Sequence, residues 1–85
     1  MYYLAVFSSR NETLYLAKML MSNGYMATIV NTPKEAGLTC GISVKFDSKI
    51  SSAIKMFISS KPFRSFVGIY KISMENGHTT YEKVF

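Results

Sequence analysis

Few of the residues on which most protein chemistry is built occur in this sequence. Its 85 residues include one cysteine, one histidine and five acidic side chains, set against ten basic ones. A single cysteine makes no internal disulfide, the usual state in a reducing compartment. Cys40 and His78 stand far apart in the chain, and without further ligands they form neither a zinc site nor a catalytic pair. His78 beside Asn76-Gly77 reads as an exposed turn residue. The carboxylates Glu12, Glu35, Asp47, Glu75 and Glu82 fall at expected caps, turns and an edge. Paired-carboxylate hydrolysis therefore has no support. No glycine-rich loop opens a long helix, which argues against a phosphate-binding loop.

Long apolar runs are missing too. The longest, residues 1–7, falls well short of the about 20 residues of a spanning helix. It also lacks the basic leader and longer core of a signal peptide. With the cysteine count, this places the expected site of action in the cytoplasm, with no membrane partner. Low-complexity polar, Pro-rich or Gly/Ser-rich stretches are also absent, so no disordered arm is expected.

What remains is a globular composition with 48% apolar residues. A chain this short forms one domain, 1–85, and buries only about 60–65% of its unfolded surface. Such a core is one layer of helices on one sheet, without an enclosed pocket for a cofactor, and none is expected. The net charge of +5 is spread over scattered lysines and two arginines. Scatter of this kind describes a solvated surface, and nucleic acid is not an expected partner.

Residues 2–7 are nearly all apolar and read as a strand central in a sheet or covered on both faces. Ser9 or Asn11 then caps a helix over residues 12–23, with Leu14, Ala17, Leu20 and Met21 on its buried face. Asn23-Gly24 ends it. Residues 25–30 are the second strand. Thr32-Pro33-Lys34-Glu35 has the capping-box arrangement, in which Thr32 and Glu35 satisfy each other's backbone amides, and opens a short turn. Residues 42–46 alternate as a half-exposed strand, with Ile42, Val44 and Phe46 inward. Asp47 or Ser48 caps a helix reaching Ser60, with Ile50, Ala53, Ile54 and Phe57 buried, and Lys61-Pro62 stops it. Residues 67–72 form a fourth strand. Asn76-Gly77 signals a type I′ turn into a polar fifth strand, 79–84, suited to a sheet edge. This order predicts an α+β domain of the ferredoxin-like βαββαβ kind, with two helices on one face of an antiparallel sheet and an added C-terminal hairpin strand.

Cys40 is the one conventional nucleophile in an unusual setting. Its candidate supports are the backbone amides near Gly41, the Thr39 hydroxyl and Lys34 folded back across the loop. Gly41 lacks a Cβ and so allows close approach to the sulfur. The plain alternative is a small buried hydrophobe.

Pro33-Lys34-Glu35, then Cys40-Gly41 and an alternating strand, resembles the selenium/sulfur carrier protein-like family of small bacterial domains. A strand like Tyr3–Phe7, a loop like Ser8-Ser9 and a helix precede the motif there. The resemblance covers roughly residues 3–72. It departs at Gly37-Leu38-Thr39, where small polar residues are usual, and the hairpin after Lys71 stands apart from it. The resemblance implies that Cys40 holds a persulfide or its selenium counterpart. A donor such as a cysteine desulfurase supplies it and an acceptor enzyme takes it. Lys34 would then stabilise the anionic sulfur and Gly41 would open its approach. Such a protein is a relay carrier and not a stand-alone enzyme. The competing reading is a non-catalytic interaction or regulatory module with a structural cysteine. In that reading a sheet edge, Tyr15 or Tyr81 meets a protein partner, a second copy forming a homo-oligomer among the options.

Overall fold

Tyr2–Phe7 forms strand β1, and its alternation divides the molecule into two layers. Ala5 and Phe7 face one side and Leu4 and Val6 the other, and all four are buried. The computed structural model describes residues 1–37 and 39–85; Leu38 lies outside the described residues. Helix α1 (Arg10–Ser22) follows β1, then β2 (Ala27–Asn31), a 3₁₀ turn (Lys34–Ala36) and β3 (Ile42–Asp47). A second 3₁₀ turn (Ser48–Ile50) leads into helix α2 (Ser51–Ser60), and β4 (Phe66–Glu75) and β5 (His78–Lys83) complete the chain. The five strands form one sheet in the order β2-β3-β1-β4-β5, with every neighbouring pair antiparallel. The fold is therefore α+β, and β1 is central, as its apolar run predicts.

The main core lies between the helices and one face of the sheet. Leu16, Ala17 and Leu20 of α1 and Ile54 and Ile58 of α2 meet Ala5, Phe7, Val44, Phe46 and Ile69 there. The stripe on α1 differs from the expected one. Thr13, Leu16, Ala17 and Leu20 are buried, whereas Leu14 and Met21 are 42% and 56% exposed. The buried polar Thr13 hides the true 3.6-residue repeat, which moves the apparent stripe sideways by a fraction of a turn. On α2 the expected Ile54 is buried, and Ile58 joins it as the next position one turn on.

A smaller cluster covers the opposite face. Leu4, Val6 and Ala36 are its buried members, with Val30, Val67, Tyr70, Ile72 and Tyr81 packed around them. Ala36 belongs to the 3₁₀ turn, so the connection after β2 folds across the back of the sheet. That placement overturns the expected capping box. Thr32 N–H donates to the Gly41 carbonyl at 2.9 Å, and the Thr32 hydroxyl pairs with Ser43 Oγ at 2.6 Å. Pro33 stands before the turn without a side-chain cap, and Glu35 is exposed. Thr32 closes the β2–β3 ladder because the fully buried Ser43 hydroxyl needs a partner. β3 is correspondingly less exposed on its back face than simple alternation implies.

Asn76 and Gly77 have φ of 51° and 79°, the positive pair that a type I′ turn requires. β5 lies at one edge of the sheet and β2 at the other. No helix among the described residues is long and apolar enough to cross a membrane.

Candidate functional site around Cys40

Cys40 stands just before β3, where the chain returns from the back of the sheet to the end that holds the first turn of α1. Ser9 is the N-cap of α1, and its Oγ accepts from Glu12 N–H. Thr13, one turn into the helix, is fully buried. Its hydroxyl donates to the Ser9 carbonyl at 3.0 Å and lies 3.5 Å from Cys40 Sγ. Cys40 is half-buried, and its thiol also reaches the Ile42 carbonyl at 3.5 Å.

The proton inventory of this cluster is tight. Thr13 has one hydroxyl hydrogen, and the Ser9 carbonyl takes it, so the neutral thiol is the donor toward Thr13 or Ile42. A sulfur that has lost its proton needs donors instead. The Ile42 carbonyl cannot serve as one. The Thr13 hydroxyl can, by rotating its hydrogen from Ser9 to Sγ.

The supports expected from the sequence are only partly assembled. Gly41 N–H donates to Thr39 Oγ1 at 3.1 Å, so these two groups satisfy each other in a tight turn over Cys40. Gly41 has a φ of +92°, and a Cβ placed there would meet nothing within 4 Å. The position thus needs glycine for its backbone conformation, which L side chains resist. Lys34 is exposed on the 3₁₀ turn whose Ala36 packs on the back of the sheet. No contact among the described residues joins Lys34 to Sγ. Thr13 is the residue that sequence reading missed. It reads as an ordinary helix position, and the one available signal is a polar residue interrupting an apolar stripe.

The N-terminus of α1 is held by a second network. The Glu12 carboxylate accepts from Arg64 N–H at 3.0 Å, Ser65 N–H at 2.9 Å and Ser65 Oγ at 2.6 Å. Ser65 Oγ in turn accepts from Ser9 N–H at 3.2 Å. Ser9 and Glu12 have capping-box spacing, and Ser65 relays the contact that Glu12 would otherwise make with the Ser9 amide. The Ser65 hydroxyl above all, with the Arg64 and Ser65 amides, holds the Glu12 carboxyl below the usual carboxylate range and outweighs the opposing effect of burial. Asp47 is likewise held low by the Lys49 amide that it caps. Neither carboxylate touches Cys40, and among the described residues no group of three or more His, Cys, Asp or Glu side chains converges on a point.

The site thus defines a small α+β domain whose only thiol sits at the junction of a helix N-terminus and a strand start. Residues 2–71 match the model of the family described as Putative Se/S carrier protein-like. The chain belongs to that family. No curated protein and no solved structure matches it. The matched span ends within β4, so the hairpin strand β5 lies beyond it.

Proposed function

We propose that the protein carries sulfur, or its selenium counterpart, on Cys40. The observation that carries this reading is the position of Sγ. It is half-buried, 3.5 Å from a hydroxyl that can accept from the thiol or donate to its ionised form. Family membership supports the same role.

In the proposed step the Cys40 thiolate attacks the terminal sulfur of a donor cysteine persulfide. A new S–S bond forms at Cys40, the donor S–S bond breaks, and the donor cysteine leaves as a thiolate that takes up a proton. No external oxidant or reductant is consumed. An acceptor thiolate or enzyme then attacks the carried sulfur and releases Cys40. The loaded sulfur is anionic, and in this reading the Thr13 hydroxyl, 3.5 Å from Sγ, donates to it by turning its hydrogen away from the Ser9 carbonyl. Lys34 is a longer-range cation in this reading, with Thr39 and Gly41 shaping the turn over the thiol. The partners are a donor such as a cysteine desulfurase and an acceptor enzyme, in the reducing cytoplasm.

We read the domain as ferredoxin-like. The support is its β2-β3-β1-β4 order with antiparallel neighbours and both helices on one face, β5 being an added strand.

Incubation with a cysteine desulfurase and cysteine, followed by intact mass spectrometry, tests the carrier role. The expected result is a gain of about 32 Da, one sulfur atom, removed by dithiothreitol and absent from Cys40→Ser. No adduct, with an iodoacetamide rate like that of free cysteine, overturns the proposal.

A further inference from the structure

Three loops meet at the end of the sheet that holds Cys40. β3 and β4 each pair antiparallel with β1, so their starts lie on either side of its end. Cys40, residues 8–10 and the loop before β4 therefore stand in a row, its outer members two strand spacings, or about 10 Å, apart. Two bonds tie the last two loops together. Ser8 N–H donates to the Ser65 carbonyl at 2.8 Å, and Ser9 N–H donates to Ser65 Oγ at 3.2 Å.

Both arginines of the chain lie in this row, Arg10 at the start of α1 and Arg64 just before β4. Each is exposed, as is Lys61. Glu12 is the carboxylate among them. It is half-buried, and its oxygens accept from the Arg64 and Ser65 amides and the Ser65 hydroxyl. Attraction to the Arg64 charge is the smallest influence on it. Lys34 and Glu35, adjacent on the 3₁₀ turn, offset each other. Arg10, Lys61 and Arg64 are thus set against one internally bonded carboxylate.

An open hollow of about 430 Å³ lies beside Arg64, lined by Asn11, Glu12, Tyr15, Lys61, Pro62 and Phe63. Tyr15 is 49% exposed, and its ring stands 5.9 Å from that of Phe63. Persulfide exchange requires the two sulfurs to touch. A specific protein interface takes about 800 Å² on each partner, a patch about 25 Å across. Centred on Cys40, such a patch takes in both arginines and reaches the hollow. Any protein that delivers sulfur to Cys40 therefore covers them.

We propose that the sulfur donor docks on this end through an acidic rim around its persulfide cysteine. Its carboxylates meet Arg10 and Arg64, and an apolar side chain enters the hollow at Tyr15 and Phe63. This inference rests on the carrier reading and names the surface chemistry of the donor. A guanidinium binds a carboxylate through two parallel N–H bonds, and arginine and tyrosine are among the residues that dominate interface energies. The donor persulfide is itself anionic and is drawn to the same cations. Loading then adds a negative charge at Cys40. The attraction is strongest for the neutral-thiol form that the donor must find, and it falls once the sulfur has passed.

Loading by cysteine and the cysteine desulfurase of the same organism tests the proposal when compared with loading by free cysteine persulfide, which needs no docking. Both are read by intact mass. Arg10→Glu and Arg64→Glu should each slow enzymatic loading at least about tenfold more than they slow loading by the free persulfide. Tyr15→Ser should do so at least about threefold. Lys49→Glu, at the opposite end of the sheet, makes the same change in net charge without this effect. Raising salt from about 50 to about 300 mM should narrow the gap between the native chain and the arginine variants. Equal slowing of both kinds of loading overturns the docking surface, as does the same selective effect from Lys49→Glu. So does loading by free persulfide with none by the enzyme. No adduct from either source overturns the carrier reading as well, which keeps the two failures apart.

Discussion

The hydroxyl of Thr13 lies 3.5 Å from the sulfur of Cys40, across 27 positions of sequence. The contact joins the first turn of α1 to the loop entering β3, so the environment of the thiol depends on a residue that is buried for structural reasons. Replacing Thr13 by Val keeps the shape and removes the hydroxyl. Cys40 Sγ and the Ser9 carbonyl each lose a partner, although Ser9 keeps the Thr13 N–H at 3.1 Å. The expected loss of stability is about 0.5–1.5 kcal/mol, read from urea denaturation. Persulfide loading should fall in Thr13→Val and recover in Thr13→Ser.

Glu12 contributes to the response to acid. Its carboxyl is held below the ordinary value of about 4.3 for a glutamate. The folded form thus binds this proton less readily than the unfolded one. The contribution is complete above the unfolded value and disappears as pH falls below about 4 through the folded value. Glu12→Gln should therefore cost stability at pH 7 and flatten the acid limb of a thermal-melting profile. Asp47 acts in the same direction through the Lys49 amide.

Gly41 should tolerate no side chain without strain. Its φ of +92° is open sterically but unfavourable for an L residue. Gly41→Ala should destabilise the domain by about 1–3 kcal/mol or flip the turn and free the Thr39 hydroxyl. Calorimetry and the chemical shift of the residue 41 amide distinguish these outcomes from an unperturbed turn.

Ala36 tests the cover on the back of the sheet. It is 5% exposed beside Leu4 and Val6, so Ala36→Asp would place a carboxylate among apolar side chains. A loss of at least about 2 kcal/mol is expected, with raised protease sensitivity in the connection from β2 to β3. Ala36→Ser should cost much less.

Much of this architecture is legible in local chemistry. The apolar run of β1, the Asn23-Gly24 stop and the Asn76-Gly77 turn each act within a few residues, and each lies where the sequence places it. The motif around Cys40 is legible as well, because a lone thiol beside a glycine after a short turn stands out against ordinary scaffold. Thr32 shows the limit of such reading. Its spacing to Glu35 matches a capping box, but the buried Ser43 hydroxyl, eleven positions away, takes its side chain. Leu14 and Thr13 show the same limit on α1, where the sheet contact sets which face turns inward and the helical repeat alone leaves a fraction of a turn open.

The sequence by itself determined the elements, their order, the edge character of β5 and the single cysteine. These follow from backbone conformations, side-chain periods and residue types that operate locally. Tertiary structure alone decided that Thr13 meets Cys40, that Ser65 relays the cap of α1 and that Ala36 closes the back of the sheet. Those outcomes depend on strand register and on which groups must be satisfied once buried, and both are set by segments distant in the chain.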